Sequence, residues 1–163
     1  MSAIVNRMKY LRNAEAMFAI AFPVMFLLSW RKPGAHIAWE LRVPAMLLLS
    51  YILLQGATYW HLKISSLEQR VALPLYFGTL FRTLKWSNHI FIVAMLVSLV
   101  AAWANAAQLA DLQWAGSLLA FAFLEQVNYF HYQLMYDTRG AIASLRRNAR
   151  LRRAALAVDL ARV

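Results

Sequence analysis

The sequence predicts an all-α polytopic membrane protein, a bundle of four transmembrane helices with both termini in the cytoplasm. Of the 163 residues, 62% are hydrophobic and only 15% are charged, whereas about a quarter of the residues of a soluble domain are charged. Tyr and Trp, which concentrate at membrane interfaces, number seven and six. Four long apolar segments predict the number of spans, and an uneven distribution of basic residues predicts their orientation.

The four apolar segments are predicted to span the bilayer at about residues 14–30, 43–62, 89–106 and 114–136. Each has roughly the 20 helical residues that a hydrocarbon core of about 30 Å requires. No small-x-small cleavage site follows the first segment, so it is expected to stay as an uncleaved span. The purely apolar part of the fourth segment ends at Leu124. This span must therefore include the polar stretch that follows, "EQVNYFHYQLMY".

The basic residues predict the orientation in a bacterial-type inner membrane. One side of the predicted bundle carries most of the 17 Lys and Arg: Arg7, Lys9, Arg12, Lys63, Arg70, Arg82, Lys85, Arg139, Arg146, Arg147, Arg150, Arg152, Arg153 and Arg162. The other side carries Arg31, Lys32 and Arg42. Basic residues accumulate on the cytoplasmic side of membrane proteins, and an even number of spans also places both termini on one side.

Two segments are predicted to lie on the cytoplasmic side. Residues 75–86 have the pattern of a short amphipathic helix in the interface. Residues 139–163 follow the transmembrane domain, 1–138, as a basic tail with an amphipathic helix. Five arginines of this tail are predicted to contact anionic lipid headgroups, at about 1 kcal/mol each: Arg146, Arg147, Arg150, Arg152 and Arg153. A protein or nucleic-acid partner is the less favoured interpretation of the tail.

Polar residues inside the predicted spans form two stripes of similar depth. The fourth span carries Glu125, Asn128, Tyr129 and Tyr132 on one face, and the second carries Tyr51, Gln55, Thr58 and Tyr59. A carboxylate inside a membrane costs a few kcal/mol, so Glu125 should face the bundle interior. The stripes are expected to face each other. They form either a hydrogen-bonded clasp between helices or a pocket for a small molecule, an ion or a proton.

Three histidines, His61, His89 and His131, lie near the cytoplasmic ends of three spans and are candidate ligands of a metal ion or haem. They lack the i, i+4 spacing that places two ligands on one helical face. The absence of cysteine excludes disulfides, thiol redox centres and cysteine-bound clusters. A phosphate-binding loop and a Ser-His-acid triad are not recognisable either, so no enzymatic activity is assigned.

The favoured interpretation is a small non-enzymatic or accessory membrane protein with a polar and aromatic pocket, acting as a homo-oligomer or with a membrane partner. The alternatives are a redox subunit that binds haem or a quinone, an oligomeric transporter or channel, and an intramembrane enzyme acting on lipid. The last of these would use Glu125 or His131 as a base. The sequence leaves the cofactor and the ligand open.

Overall fold

A computed structural model describes residues 2–31, 37–135, 147 and 150–162. These residues form five helices: α1 Ser2–Trp30, α2 Trp39–Gln69, α3 Phe77–Ala104, α4 Leu109–Phe130 and α5 Ala155–Leu160. An antiparallel bridge between Tyr132 and Arg153 is the sole β-pairing among the described residues. The structure therefore confirms the all-α prediction.

Three helices are long and apolar enough to cross a membrane: Ala3–Trp30, Trp39–Gln69 and Phe77–Ala104. They indicate a membrane protein. The 22 residues of α4 span about 33 Å at about 1.5 Å per residue, which is also sufficient in length. However, α4 carries Asp111, Glu125 and three amides, and it is not among the helices that are apolar enough to count as candidate spans. The helix ends at Phe130, so residues 131–135 of the predicted fourth span are not helical.

The central helix is α2. In its most apolar window, 67% of the residues are buried, against 6% in α1 and 11% in α3. Helix α1 packs along α2, while α3 and α4 pack against α2 and against each other. Ala45 and Ile52 of α2 and Ala115 and Ala122 of α4 are fully buried. The three alanines among them let the helix backbones approach closely.

The outward faces of α1 and α3 are apolar. Exposed side chains on α1 are Met17, Phe18, Ile20, Val24, Met25 and Leu28, and those on α3 are Ile90, Phe91, Val93, Leu96, Val97 and Val100. A soluble protein rarely exposes such large contiguous apolar surfaces. These faces are suited to contact with lipid, which explains why two helices that bury so little can be so hydrophobic.

The segment predicted as a separate interfacial helix, residues 75–86, differs in the structure. Helix α3 begins at Phe77, after Pro74, and continues without a break to Ala104. The sequence between 86 and 89 has no helix-breaking residue, so the two predicted elements form one helix. Phe77 and Phe81 are fully buried and pack against the ring of Tyr59 instead of lying in an interface.

The described part of the tail returns to the bundle. The Gln133 amide donates to the Arg152 carbonyl at 2.9 Å, and the Ala154 amide donates to the His131 carbonyl at 3.1 Å. These bonds bring α5 to the end of the bundle where α1 and α3 begin and α2 and α4 end, which we call the basic end. Residues 136–146 and 148–149, including Arg146, lie outside the described residues.

A buried carboxylate anchors α5. Asp159 Oδ2 accepts a hydrogen bond from the Tyr59 hydroxyl at 2.8 Å and from Lys63 Nζ at 2.6 Å. Leu156 is buried beside them. The tail is therefore held by an ion pair, a hydrogen bond and apolar packing, and its docking forms one wall of the site described next.

Candidate functional site

A cavity of about 750 Å³ opens at the basic end of the bundle. The beginning of α1, the last turns of α2, the end of α4 and the returning tail form its walls. Its apolar lining includes Ile4, Met8, Leu11 and Leu156, and its polar and aromatic lining includes Glu15, Tyr59, Trp60, Asn128 and Tyr129. The cavity is therefore mostly apolar, with a few polar groups concentrated where α1, α2 and α4 meet.

Glu15 of α1 is the acidic residue that lines this cavity. Its Oε1 accepts a hydrogen bond from Trp60 Nε1 at 3.1 Å. Its Oε2 is buried and has no hydrogen-bond partner among the described residues. Buried polar atoms in native structures are nearly always paired with protein or water. Oε2 is enclosed, with Gly56 and the Tyr129 hydroxyl as its neighbours, and Glu15 lines the cavity together with Trp60 and Tyr129.

Tyr129 connects Glu15 with a second acidic residue. Its side chain is buried, and its hydroxyl lies beside the carboxyl groups of Glu15 and Glu125. The Tyr129 hydroxyl and Glu15 Oε2 do not have the geometry of a hydrogen bond. Glu125 Oε2 accepts a hydrogen bond from Asn128 Nδ2 at 3.1 Å, and Asn128 Oδ1 accepts one from the Leu134 amide at 2.9 Å. Asn128 thus ties Glu125 to the chain that leaves α4.

A glycine in α2 allows Glu15 and Tyr129 to approach each other. A Cβ atom at Gly56 would overlap both the Glu15 carboxyl group and the end of the Tyr129 ring. Because Gly56 has no side chain, Glu15 of α1 and Tyr129 of α4 can both lie against the same position of α2.

Replacing Gly56 with alanine is expected to lower the free energy of unfolding by about 1–3 kcal/mol, because the added methyl group must displace Glu15 or Tyr129. Chemical denaturation in mild detergent, followed by circular dichroism, measures this change. Gly116→Ala is the matched control, since a Cβ there would meet only Leu99 Cδ2, at 3.9 Å. Equal stability of the two variants would contradict the close packing at Gly56.

A separate network of amides joins three helices. Gln55 and Asn88 exchange two hydrogen bonds of 2.8 Å, and Asn88 Nδ2 also donates to Gln126 Oε1 at 2.7 Å. All three side chains are buried. They come from α2, α3 and α4 and do not line the cavity. This network is a clasp between helices.

The two predicted polar stripes do not face each other as expected. Gln55 is paired through Asn88 with Gln126, the neighbour of Glu125, while Glu125 lies beside Tyr129. Thr58 is exposed and donates to the Leu54 carbonyl of its own helix. Of the eight residues predicted for the pocket, Tyr59, Asn128 and Tyr129 line the cavity.

The remaining predicted pocket residues have other surroundings. The Tyr51 hydroxyl lies 3.0 Å from Ser87 Oγ, between α2 and α3. Tyr132 follows the end of α4 and is about half exposed, and its backbone pairs with Arg153. Of the predicted headgroup-binding arginines that are described, Arg147, Arg150, Arg152 and Arg153 are exposed, and Arg152 also lines the cavity.

Sequence reasoning missed Glu15, Trp60, Asn88 and Gln126. Glu15 lies inside the predicted first span, so the cost of a carboxylate in the membrane applied to it as much as to Glu125. Asn88 lies between two predicted elements, the interfacial helix and the third span, and was assigned to neither. Its role follows only once α3 is known to be one helix.

The three predicted histidine ligands are not brought together. The rings of His89 and His131 are 6.3 Å apart, and His89 Nδ1 is 2.6 Å from the Lys85 carbonyl oxygen. His61 is exposed. In the part of the chain that the structure describes, no three His, Cys, Asp or Glu side chains form a group suited to a metal ion. The three histidines therefore do not form a common ligand group in this part of the chain, and a metal or haem site there stays a prediction.

A buried ion pair lies at the other end of the bundle. Arg42 Nε of α2 is 2.6 Å from Asp111 Oδ1 of α4, and both side chains are buried. Asp111 also accepts the Ala38 amide at 3.2 Å, and the guanidinium lies 5.3 Å from the ring centre of Trp30. These contacts tie the end of α1 and the beginnings of α2 and α4 together.

The all-helical fold, the three apolar helices and the partly polar cavity define the class: a small helical membrane protein with a cavity at one end of its bundle. Comparison with known protein families, curated proteins and solved structures found no match to the chain.

Proposed function

We propose that this chain is a non-enzymatic inner-membrane protein that binds a small amphipathic molecule in the cavity at its basic end. In this proposal α4 is a fourth span, and both termini lie on the cytoplasmic side. The distribution of basic residues supports the orientation, since the basic end carries most of the Lys and Arg of the chain. The cavity would then open towards the cytoplasmic headgroup region.

The observation that carries the proposal is the cavity itself. Its volume of about 750 Å³ lies within the range of about 300–1,000 Å³ that is usual for small-molecule sites. Such sites combine apolar walls with a small number of polar groups that orient the ligand. Here Met8, Leu11 and Leu156 supply apolar wall, and Glu15 and Asn128 supply polar groups.

The exposed arginines of the tail have a supporting role in this proposal. Arg147, Arg150 and Arg153 are exposed near the basic end and would contact anionic headgroups. Their attraction to the membrane surface adds to the anchoring of α5 by Tyr59 and Lys63. The tail would thereby be kept against the bundle, where it forms one wall of the cavity.

Binding of a neutral amphipathic dye tests this proposal. The full chain is placed in lipid nanodiscs, and the saturable fluorescence increase of N-phenyl-1-naphthylamine is measured above that of discs without protein. We expect saturable binding, and we expect Leu11→Trp to abolish it, because the larger indole would extend from a lining position into the space that the dye occupies. Met17→Trp is the control, since Met17 is exposed on α1 and does not line the cavity.

Absence of saturable binding in the wild type would contradict the proposed function. So would equal binding by Leu11→Trp and Met17→Trp, because the dye would then be held elsewhere on the protein or by the lipid.

A further inference from the structure

We propose that the cavity selects an organic cation with an apolar body, and that Glu15 binds its positively charged group. This inference rests on the proposed function, because it names the chemical class of the ligand for the same cavity.

The first argument is the charge balance around Glu15. The ion pairs among the described residues are those of Lys9 with Glu68, Arg42 with Asp111 and Lys63 with Asp159. Glu15 takes part in none of them, although it lines the cavity. A cationic ligand supplies the missing opposite charge as a close ion pair.

The second argument is the aromatic surface next to this carboxyl group. The rings of Tyr59 and Trp60 lie 4.8 Å apart, and both residues line the cavity together with Tyr129. Aromatic faces attract cations electrostatically, most strongly where water is excluded. Glu125, on the other side of Tyr129, adds a second acidic group near the same position.

The third argument is the distribution of charge along the cavity. Arg7 and Arg152 also line it, and both are exposed. Arg7 precedes Glu15 by eight residues of one helix, or about 12 Å at about 1.5 Å per residue. The carboxyl group of Glu15 therefore lies deeper in the cavity than these two arginines. An amphipathic cation bound to Glu15 would have its charged group inward and its apolar body towards the mouth.

The test compares two ions of the same size and shape but opposite charge, tetraphenylphosphonium and tetraphenylborate. Each ion is titrated against bound N-phenyl-1-naphthylamine in the wild type, in Glu15→Gln and in Glu40→Gln. Glu40 is the matched acidic control, because it is exposed and lies at the opposite end of α2.

We expect the phosphonium to displace the dye from the wild type and from Glu40→Gln. In Glu15→Gln its apparent affinity should fall at least about tenfold, the effect of losing the attraction between the cation and the carboxylate, since the phosphonium forms no hydrogen bond. Dye affinity should be retained in Glu15→Gln, and the borate titration should not weaken.

Two kinds of failure are distinguishable. If the dye binds and Leu11→Trp blocks it, but Glu15→Gln leaves the phosphonium affinity unchanged, the cation proposal is wrong and the binding function stands. The same conclusion follows if Glu15→Gln weakens the phosphonium and the borate equally. If the dye does not bind saturably to the wild type, both proposals fail.

Discussion

Replacing Asp111 with alanine is expected to lower the free energy of unfolding by about 3–5 kcal/mol, the cost of removing one partner of a buried ion pair. The Arg42 guanidinium would remain between α2 and α4 without its carboxylate, at a position where its side chain is only 7% exposed. The Ala38 amide would lose its acceptor as well. Few single substitutions in this chain leave a full charge so isolated.

Denaturation in mild detergent measures this effect. Tryptophan fluorescence is a suitable signal, because the Arg42 guanidinium lies 5.3 Å from the ring centre of Trp30 and 6.0 Å from that of Trp114. The control is the double variant Arg42→Met with Asp111→Leu, which removes both charges and is expected to regain most of the lost stability. A loss of less than about 1 kcal/mol in Asp111→Ala, the usual contribution of an exposed ion pair, would contradict the burial of this pair.

Asn88→Ala is expected to cost about 2–6 kcal/mol, because it leaves the buried Gln55 amide unpaired and Gln126 Oε1 without its donor, at about 1–3 kcal/mol for each residue. Both bonds of Gln55 go to Asn88, whereas Gln126 Nε2 keeps the Lys85 carbonyl at 3.5 Å. The loss should appear in denaturation midpoints and also as faster hydrogen exchange in the middle of α2.

The control for Asn88→Ala is the same substitution at Asn13. Asn13 is exposed on α1 and bonds only to its neighbour Arg12 among the described residues, so its removal should change stability by no more than about 0.5 kcal/mol. If Asn88→Ala were as mild as Asn13→Ala, the amide network would not hold the helices together.

The apolar parts of the helices were predictable from the sequence, because contact with lipid requires apolar side chains. The predicted spans 14–30 and 43–62 lie within α1 and α2, and the third, 89–106, overlaps α3 up to its end at Ala104. The helices themselves are longer, since α1 begins at Ser2 and α2 continues to Gln69. Hydropathy marks the part of a helix that suits lipid, whereas the backbone remains helical until a residue interrupts it. Arg70, with φ of 55°, is such a point after α2.

The polar site was predictable only in part. Periodicity assigned Glu125, Asn128 and Tyr129 to one face of the fourth span. It did not reveal which helix that face contacts, because adjacent residues differ by about 100° and small rotations exchange their neighbours. As a result, it is Gln126 and not Glu125 that is hydrogen-bonded to Asn88, the partner of Gln55. Contacts between distant positions, such as Tyr59 with Asp159, have no signature in local sequence patterns.

The measurement that tests the central claim most directly is thiol labelling within the cavity. The chain has no cysteine, so Leu11→Cys introduces a single reactive group on the cavity wall. Inside-out and right-side-out membrane vesicles are treated with a membrane-impermeant maleimide. Ala122→Cys serves as the buried control, since Ala122 has 0% exposure.

We predict that Leu11→Cys is labelled from the cytoplasmic face, that saturating N-phenyl-1-naphthylamine slows this labelling, and that Ala122→Cys stays unreactive. Labelling of Leu11→Cys that is as slow as that of Ala122→Cys, or that the dye leaves unchanged, would contradict a ligand-accessible cavity at the basic end.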